Sequence, residues 1–253
     1  MTEKTLQDWV DAAAILSAEH QAHLADLHGE DAWNAELTEG TLTFTSGDGR
    51  RTTCRAQFLG TSAPGPGTWL WGWHNVNGFP DHLLAAANAV RDSGGVPELT
   101  TAELPLTDEL PYRLVVAAKA VASSWTHYSA PVGSGTRAWF LIEHPTFALG
   151  PASVVRLARA IVDGISSTTV ADHARAVRWY AEQRGIALDS DAHGLRLVAS
   201  DGTVTVELDG PRAARVSVST GGTVAAVAAE AVAAPPADAP QGDRRRSWFG
   251  RRS

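Results

Sequence analysis

The stretch between Gly67 and Asp81 concentrates the side chains with the most chemistry to offer. Three tryptophans alternate in the sequence GTWLWGWHN, directly after a Pro-Gly-Pro-Gly turn, and polar side chains follow them. A row of exposed indole rings would stack against sugar rings, nucleobases or an aromatic peptide side chain, while the polar groups would orient the ligand. The candidate ligand-binding residues are Trp69, Trp71, Trp73, His74, Asn75, Asn77 and Asp81.

The same tryptophans also suit a buried strand, and this interpretation is favoured. Alternate residues of a strand face the same side of the sheet, so the three indole rings would form one row. Each buried indole removes about 150–250 Å² from water, and the row would contribute on the order of 10 kcal/mol of gross burial energy. An exposed row would forgo this gain and promote aggregation. We therefore expect the row to pack beneath helices, with ligand binding as the alternative.

A catalytic interpretation rests on the turn after the tryptophans. His74, Asn75 and Asp81 would form the site of a hydrolase-type or metal-assisted enzyme, since such groups orient a water molecule or bind a divalent ion. Asp81 equally fits the N-cap of a helix that begins beside Pro80. The sequence lacks a phosphate-binding loop, a nucleophile elbow and a dinucleotide-binding glycine motif. We assign no catalytic residue, no metal site and no cofactor, and we favour a protein without catalytic activity.

Two other reactive residue types have structural interpretations. His20 and His23 share a helix face, but the sequence lacks the His-Glu-x-x-His pattern, so solvated polar positions are expected. Cys54 is the only cysteine, which excludes an internal disulfide, and it lies in a β-like run without a positioned base. We expect Cys54 to be a small buried or half-buried side chain rather than a catalytic thiol.

The stretch GTWLWGWHN also carries a resemblance to a family. Together with Pro80 and a following helix that contains Asn88 and Arg91, it resembles the hallmark of an uncharacterised, chiefly actinobacterial family. That family is a domain of unknown function with a Thr-Trp-Leu-Trp-x-Trp-x-Asn strand. The matching positions are Thr68, Trp69, Leu70, Trp71, Trp73 and Asn75. The resemblance implies no activity, so it assigns no catalytic residue.

The elements that would position these residues alternate between helical and strand patterns. A capping box, Thr5 with Asp8, begins an amphipathic helix that reaches His28. Alternating apolar residues and turn signals over 33–75 predict a four-stranded antiparallel meander. Two helices are predicted next, from about 81 to 93 and over 112–124, with a loop between them; two strands, 125–130 and 136–142, follow.

The second half repeats the order of helix and meander. Helices are predicted at 152–164 and 170–184, the latter with a capping box of Thr169 and Asp172 and with Gly185 as its stop. Short strands follow at 186–188, 195–199, 203–208 and 214–218. The predicted fold class is α+β, with antiparallel β-meanders packed against helices. A weak internal repeat of helix and meander is an open alternative.

Composition divides the chain near residue 222. We expect a single compact α+β domain of unknown function over 3–222 and an Ala/Pro-rich linker with a basic aromatic tail over 223–253. The tail is predicted to be disordered, because its composition buries little apolar area. Its arginines flank an aromatic pair and would dock on an anionic surface or on a partner's acidic groove. The tail-docking residues are Arg244, Arg245, Arg246, Trp248, Phe249, Arg251 and Arg252.

Charge and hydropathy restrict the function classes. The chain carries a net charge of −7; residues 231–253, with five arginines and two aspartates, hold +3, which leaves −10 on the rest. Nucleic-acid binding by an acidic folded domain is not expected. No apolar run reaches the about 20 residues of a spanning helix, and the N-terminus lacks the layout of a secretory signal. We predict a non-catalytic cytoplasmic binding or accessory protein whose surface near Trp69–Asn75 takes an unknown protein or small molecule.

Overall fold

The computed structural model describes residues 4–167, 169–192, 194–220 and 223–227. Within these ranges the chain forms six α-helices and two antiparallel sheets, so the predicted α+β class is confirmed. None of the helices in these ranges is long and apolar enough to cross a membrane. Of the predicted linker and tail over 223–253, the structure describes 223–227; the rest, with the docking residues, lies outside the described residues.

The first helix, α1, spans Leu6–His28 and contacts helices from both halves of the chain. As predicted, Thr5 is its N-cap: the Thr5 hydroxyl accepts a hydrogen bond from the Asp8 N–H, and the Asp8 carboxylate accepts one from the Thr5 N–H. Hydrogen bonds from Thr5, and then from Arg175, lower the pKa of Asp8 to about 2. The first turn of the helix therefore contains a carboxylate, that of Asp8, whose charged form is stabilised by hydrogen bonds.

The larger sheet has seven strands and is organised by one long strand. Strands β1 (Ala32–Glu36) and β2 (Thr41–Thr45) lead to β3, which runs over Arg51–Ala63. β2 pairs with the first part of β3, and β4 (Thr68–Trp71) pairs with the last part of the same edge. The predicted meander of four antiparallel strands is therefore present.

Three further strands complete this sheet. β5 (Glu103–Pro105) pairs with β4, in a segment that the sequence predicts as a loop, because the edge of β4 offers it backbone partners. β6 (His127–Gly133) and β7 (Thr136–Glu143) form a hairpin, and β7 pairs with the other edge of β3. The sheet curls, since the ring centre of Trp33 on β1 lies 5.6 Å from that of Tyr128 on β6.

Three helices belong to this half: α2 (Asp81–Asp92), the single turn α3 (Pro97–Thr100) and α4 (Leu110–Ala122). α2 packs against β3 and α4, and α4 packs against α1. Buried side chains from α1, α2, α4 and the sheet form one core cluster that includes three indole rings, those of Trp69, Trp71 and Trp139.

The second half contains two helices and a five-stranded meander. α5 (Val154–Ser167) and α6 (His173–Arg184) pack on strands that pair in chain order: β8 (Ala187–Asp191), β9 (Gly194–Ala199), β10 (Gly202–Asp209), β11 (Arg212–Thr220) and β12 (Thr223–Val227). α1 completes their core cluster. A Cβ at Gly164 would stand 2.5 Å from the Ile15 Cα, so α5 approaches α1 this closely only with glycine there.

Two boundaries of this half differ from the predictions. α6 is capped by Asp172, whose carboxylate accepts the Arg175 N–H, whereas the predicted cap, Thr169, donates its hydroxyl to Glu109. β12 continues the meander past residue 222, the predicted end of the compact domain. Its backbone pairs with β11, an edge that would otherwise offer unpaired N–H and C=O groups.

Asp11 joins α1 to the second half through a buried carboxylate. It accepts hydrogen bonds from the N–H groups of Ala171 and Asp172, at 2.8 and 3.2 Å, and from Arg175 Nη2 at 2.6 Å. Gln7 Nε2 is a further donor at 2.6 Å. A fully buried carboxylate is tolerated only when its lone pairs are satisfied in this way.

We expect Asp11→Ala to lower the free energy of unfolding by about 2–4 kcal/mol, because the part-buried N–H groups of Ala171 and Asp172 and the Arg175 guanidinium lose an acceptor that is itself fully buried. Asp8→Ala is the matched control, since Asp8 binds the same arginine with a side chain that is 34% exposed. Urea unfolding followed by circular dichroism measures both variants. Equal losses would contradict the role assigned to Asp11.

Candidate binding surface at Trp73

Trp69 and Trp71 lie in the core. They are 0% and 1% exposed, and their rings meet edge to face with centres 5.2 Å apart. Trp71 Nε1 donates to the Glu98 carbonyl at 2.9 Å, and the ring of Trp139 lies 6.2 Å from that of Trp69. The core interpretation holds for these two rings, which present no face to a ligand in this structure.

Trp73 does not continue the row. β4 ends at Trp71 and Gly72–His74 forms a 3-10 turn, so the prediction of one row of three tryptophans is wrong at Trp73. A Cβ at Gly72 would lie 2.8 Å from Phe58 Cδ1 and 3.0 Å from the Phe58 carbonyl oxygen. Glycine lets the chain turn against the sheet at this point. Trp73 therefore leaves the strand and lies half-buried at the margin of the core.

Asn75 fixes the loop that follows. Its backbone is left-handed, with φ 49° and ψ 42°, a conformation that asparagine adopts more readily than most residues. Its Nδ2 donates to the Phe79 carbonyl at 3.0 Å, and its Oδ1 accepts the Phe79 N–H at 2.7 Å. Both ends of the amide are engaged within the protein, and the loop 76–78 is exposed.

We call the group formed by Trp73, His74, Val76, Asn77 and Arg91 the Trp73 surface. The ring centre of His74 lies 6.4 Å from that of Trp73, edge to face, and the Arg91 guanidinium lies 5.8 Å from the same ring. Val76 is 63% exposed, and His74 and Asn77 are exposed as well. The arrangement combines an aromatic ring, a cation, an amide and an apolar side chain, which suits stacking and hydrogen bonding to a ligand.

The remaining candidate residue, Asp81, lies at the start of α2. It is exposed and makes no side-chain capping hydrogen bond, so the predicted Asp81 cap is wrong. Pro80 takes the N-cap position, because its fixed φ of −68° with an extended ψ leads directly into the helix. The Asp81 carboxylate still lies at the positive end of the helix dipole. Of the predicted ligand residues, the Trp73 surface contains Trp73, His74 and Asn77.

Lys119, which no motif singles out, lies fully buried near the end of α4. Its Nζ donates to Ser17 Oγ at 2.7 Å and to Gln21 Oε1 at 3.2 Å, both on α1. Gln21 also holds the start of β6, since it accepts the His127 N–H and donates to the His127 carbonyl. The signal in the sequence is a lysine within the apolar helical run LVVAAKAVA.

Burial controls protonation around Lys119. Desolvation holds the pKa of Lys119 well below its ordinary value. Desolvation, followed by the charges of Lys119 and Arg184, lowers the pKa of His20 to about 3. The pKa of His127 also falls well below its ordinary value, through burial first and then through Lys119 and Arg137. The interior thus favours the uncharged form of all three bases.

The other reactive side chains have structural roles. Cys54 is buried, as expected, and desolvation raises the pKa of its thiol to about 12, which disfavours the thiolate. His20 Nδ1 lies 3.4 Å from the Thr126 hydroxyl, and His23 Nε2 lies 3.0 Å from the Thr146 carbonyl oxygen. Over the described ranges, no cluster of three or more His, Cys, Asp or Glu side chains could hold a metal ion.

Trp71→Ala is expected to lower the free energy of unfolding by about 3–5 kcal/mol, because it opens a cavity and leaves the Glu98 carbonyl without its donor. Trp73→Ala makes the same change two positions later, at a half-buried ring, and should cost no more than about half as much. Chemical denaturation compares the two variants. A loss at Trp73 as large as that at Trp71 would place both rings in the core.

Comparison with known proteins identifies a family for this architecture. The sequence profile of a family of unknown function, DUF6882, matches residues 7–145. The matched span runs from α1 through β7 and includes both the Trp73 surface and Lys119. Comparisons with curated proteins and with solved structures gave no match. Since the matched span exceeds half of the chain, this protein belongs to DUF6882, a family of unknown function.

Proposed function

We propose that this protein is a non-catalytic cytoplasmic binding or accessory protein that holds its ligand at the Trp73 surface. The observation that carries the proposal is the separation of the three tryptophans: two are sealed in the core, and the third is turned out of the strand. Core packing accounts for Trp69 and Trp71. It does not account for a half-buried Trp73 that has Arg91 and His74 around its ring.

The fixed shape of the loop supports this proposal. Gly72 turns the chain against Phe58, and the two hydrogen bonds between Asn75 and Phe79 close the loop that carries Val76. A loop that is ordered before binding loses little conformational entropy when a ligand arrives. Tryptophan and arginine are also the residues that most often dominate the binding energy of protein interfaces.

The chemistry of the surface favours a partner that presents an aromatic ring and an acidic group together. The ring would stack on Trp73, and Asn77 would supply a donor and an acceptor to a polar edge. The acidic group would approach Arg91, whose guanidinium is 42% exposed and pairs within the protein only with its sequence neighbour Asp92 in the described part of the chain. The partner is therefore a protein segment or a small molecule of this type.

The alternative is a hydrolase-type or metal-assisted enzyme that uses His74, Asn75 and Asp81. Such a site needs polar atoms directed at a substrate, whereas both amide atoms of Asn75 bind the backbone of Phe79. His74 and Asp81 are exposed, one on the 3-10 turn and the other at the start of α2. The arrangement favours binding over catalysis.

A photo-crosslinking amino acid at Val76, which is 63% exposed, tests the binding proposal in the cells that produce the protein. We expect a discrete adduct, identified by mass spectrometry, that a second change, Trp73→Ala, removes. The same crosslinker at Val155, 70% exposed on α5, is the matched control. Adducts that are equal at both positions, or that survive Trp73→Ala, would argue against the Trp73 surface.

We propose in addition that the tail brings the protein to an anionic lipid surface. Five arginines flank Trp248 and Phe249 in the sequence RRRSWFGRRS. Each cation near an anionic membrane contributes about 1 kcal/mol, and an aromatic pair adds apolar contact at the interface. The remainder of the chain, at −10, would be repelled by such a surface, so attraction has to come from the tail.

Removal of residues 231–253 should abolish sedimentation with vesicles that contain phosphatidylserine and leave the melting temperature nearly unchanged. The intact chain should sediment with these vesicles, more weakly as salt is raised, and not with pure phosphatidylcholine vesicles. Replacement of both Trp248 and Phe249 by serine separates the apolar contribution from the charge. Equal sedimentation of the intact and shortened chains would refute the role of the tail.

A further inference from the structure

Three basic side chains lie close together where α1, α4 and β6 join, and we call them the basic joint: His20, Lys119 and His127. Lys119 is fully buried and reaches α1 through Ser17 and Gln21. The two histidines are half-buried, on α1 and at the start of β6. The joint lies within the segment that matches the family and is separate from the Trp73 surface.

The charged neighbours of the basic joint carry the same sign. The charges that act on the two imidazoles are those of Arg137 and Arg184 and, once protonated, those of Lys119 and His23. Glu19, next to His20 in sequence, accepts a hydrogen bond from the Tyr180 hydroxyl at 2.8 Å and pairs with Arg184 at 2.9 Å on α6. The charge of Glu19 is therefore paired with Arg184 of α6 rather than with the basic joint.

The other polar atoms near the joint, over the described part of the chain, are neutral acceptors: the Thr126 hydroxyl lies 3.4 Å from His20 Nδ1, and a backbone hydrogen bond with Phe147 raises the pKa of His20 by less than burial lowers it. His127 Nδ1 and Ser124 Oγ are enclosed and make no hydrogen bond within the described part of the chain. Arg113, the other charged residue of α4, donates to Gln7 Oε1 at 2.9 Å and so belongs to a different contact. An added proton would thus place a positive charge in the interior without a counter-charge, which is strongly unfavourable.

We infer that the basic joint is a proton-sensitive contact: protonation of His20, Lys119 and His127 releases α1 from α4 and β6. The packed, uncharged joint is stable at neutral pH, and each proton adds desolvation cost and mutual repulsion. Opening of the joint returns the charged groups to water. Release also breaks the two hydrogen bonds of Gln21 with His127 and uncovers backbone groups of β6, which pairs only with β7 over the described ranges.

The direction of the pH dependence follows from the lowered pKa values. Each base has a lower pKa in the folded protein than in the unfolded chain, so the unfolded chain binds more protons and stability falls with falling pH. Lys119 contributes below its ordinary pKa of 10.5, whereas the histidines contribute only as pH falls through 6.5. Between about pH 7 and 8 the lysine therefore acts almost alone.

The chain offers a direct measurement of this lysine. Lys4→Arg leaves Lys119 as the only lysine, so the ¹³Cε signal of labelled lysine reports its titration in the intact folded protein. We expect a signal of the neutral amine at pH 8. A signal that titrates near 10.5, the ordinary lysine pKa, would overturn the inference even if no substitution at position 119 folds.

Stability and hydrogen exchange test the release itself. In the intact chain, the unfolding equilibrium constant should rise as pH falls from 8 to 7, by at most the tenfold that uptake of one proton on unfolding allows. Lys119→Met should remove this slope, and Lys4→Met, the same change at an exposed lysine, should keep it. The protection factor of the His127 N–H, which corrects for the slower intrinsic exchange in acid, should fall with pH more than the protection factors of the β3 core. Equal slopes in the intact chain and in Lys119→Met, or a protection factor at His127 that does not fall in acid, would contradict the proton-sensitive joint.

Discussion

The fold depends on the burial of one helix from several directions. α1 supplies Leu6 and Val10 to the tryptophan cluster, Ile15 to the core of the second half, and Leu24 to a third cluster in the curled sheet. A helix enclosed in this way cannot keep the polar side chains of its buried faces in water. Each polar group on its buried faces must find a partner within the protein, which explains why the interior hydrogen bonds concentrate on α1.

The polar groups of α1 are satisfied in two different ways. Asp11 and Glu19 face Arg175 and Arg184 from α6, together with backbone or hydroxyl donors. Ser17 instead accepts a hydrogen bond from the amine of Lys119. Among the contacts described, no carboxylate pairs with this amine. The first arrangement pairs opposite charges, whereas the second, on the inference above, holds while the amine is uncharged.

Much of the fold could be predicted from the sequence, because local patterns govern its elements. Periodicity and the Thr5 capping box define α1, and turn residues such as those before Arg51 separate the strands of the meander. The sequence predicts neither β5 nor β12. A short edge strand forms only where a neighbouring strand offers backbone partners, and a local sequence pattern does not show which strand will be its neighbour. The sequence predicts Thr169 as the N-cap of α6, but Asp172, three residues later, takes that position. Both residue types suit an N-cap, and the Thr169 hydroxyl instead donates to Glu109, a tertiary contact that no local pattern records.

The candidate site shows the same limit. Strand periodicity places Trp73 in line with Trp69 and Trp71, but it carries no information on the space left at Gly72 beside Phe58. The sequence predicts Asn75 as a ligand group, although its amide bonds within the loop, because sequence alone does not distinguish a turn asparagine from an exposed one. Lys119 was overlooked because a lysine usually solvates its helix; only the apolar residues on both sides of it mark the position as interior.

The division of the chain also follows from α1. The family match ends at residue 145, yet Asp11 within it takes its hydrogen bonds from Ala171, Asp172 and Arg175, and Ile15 packs against Gly164. A chain ending at residue 145 would leave a buried carboxylate and an apolar helix face without partners. In the structure α1 therefore packs on elements of both halves, while one compact unit over 3–222 stays a prediction.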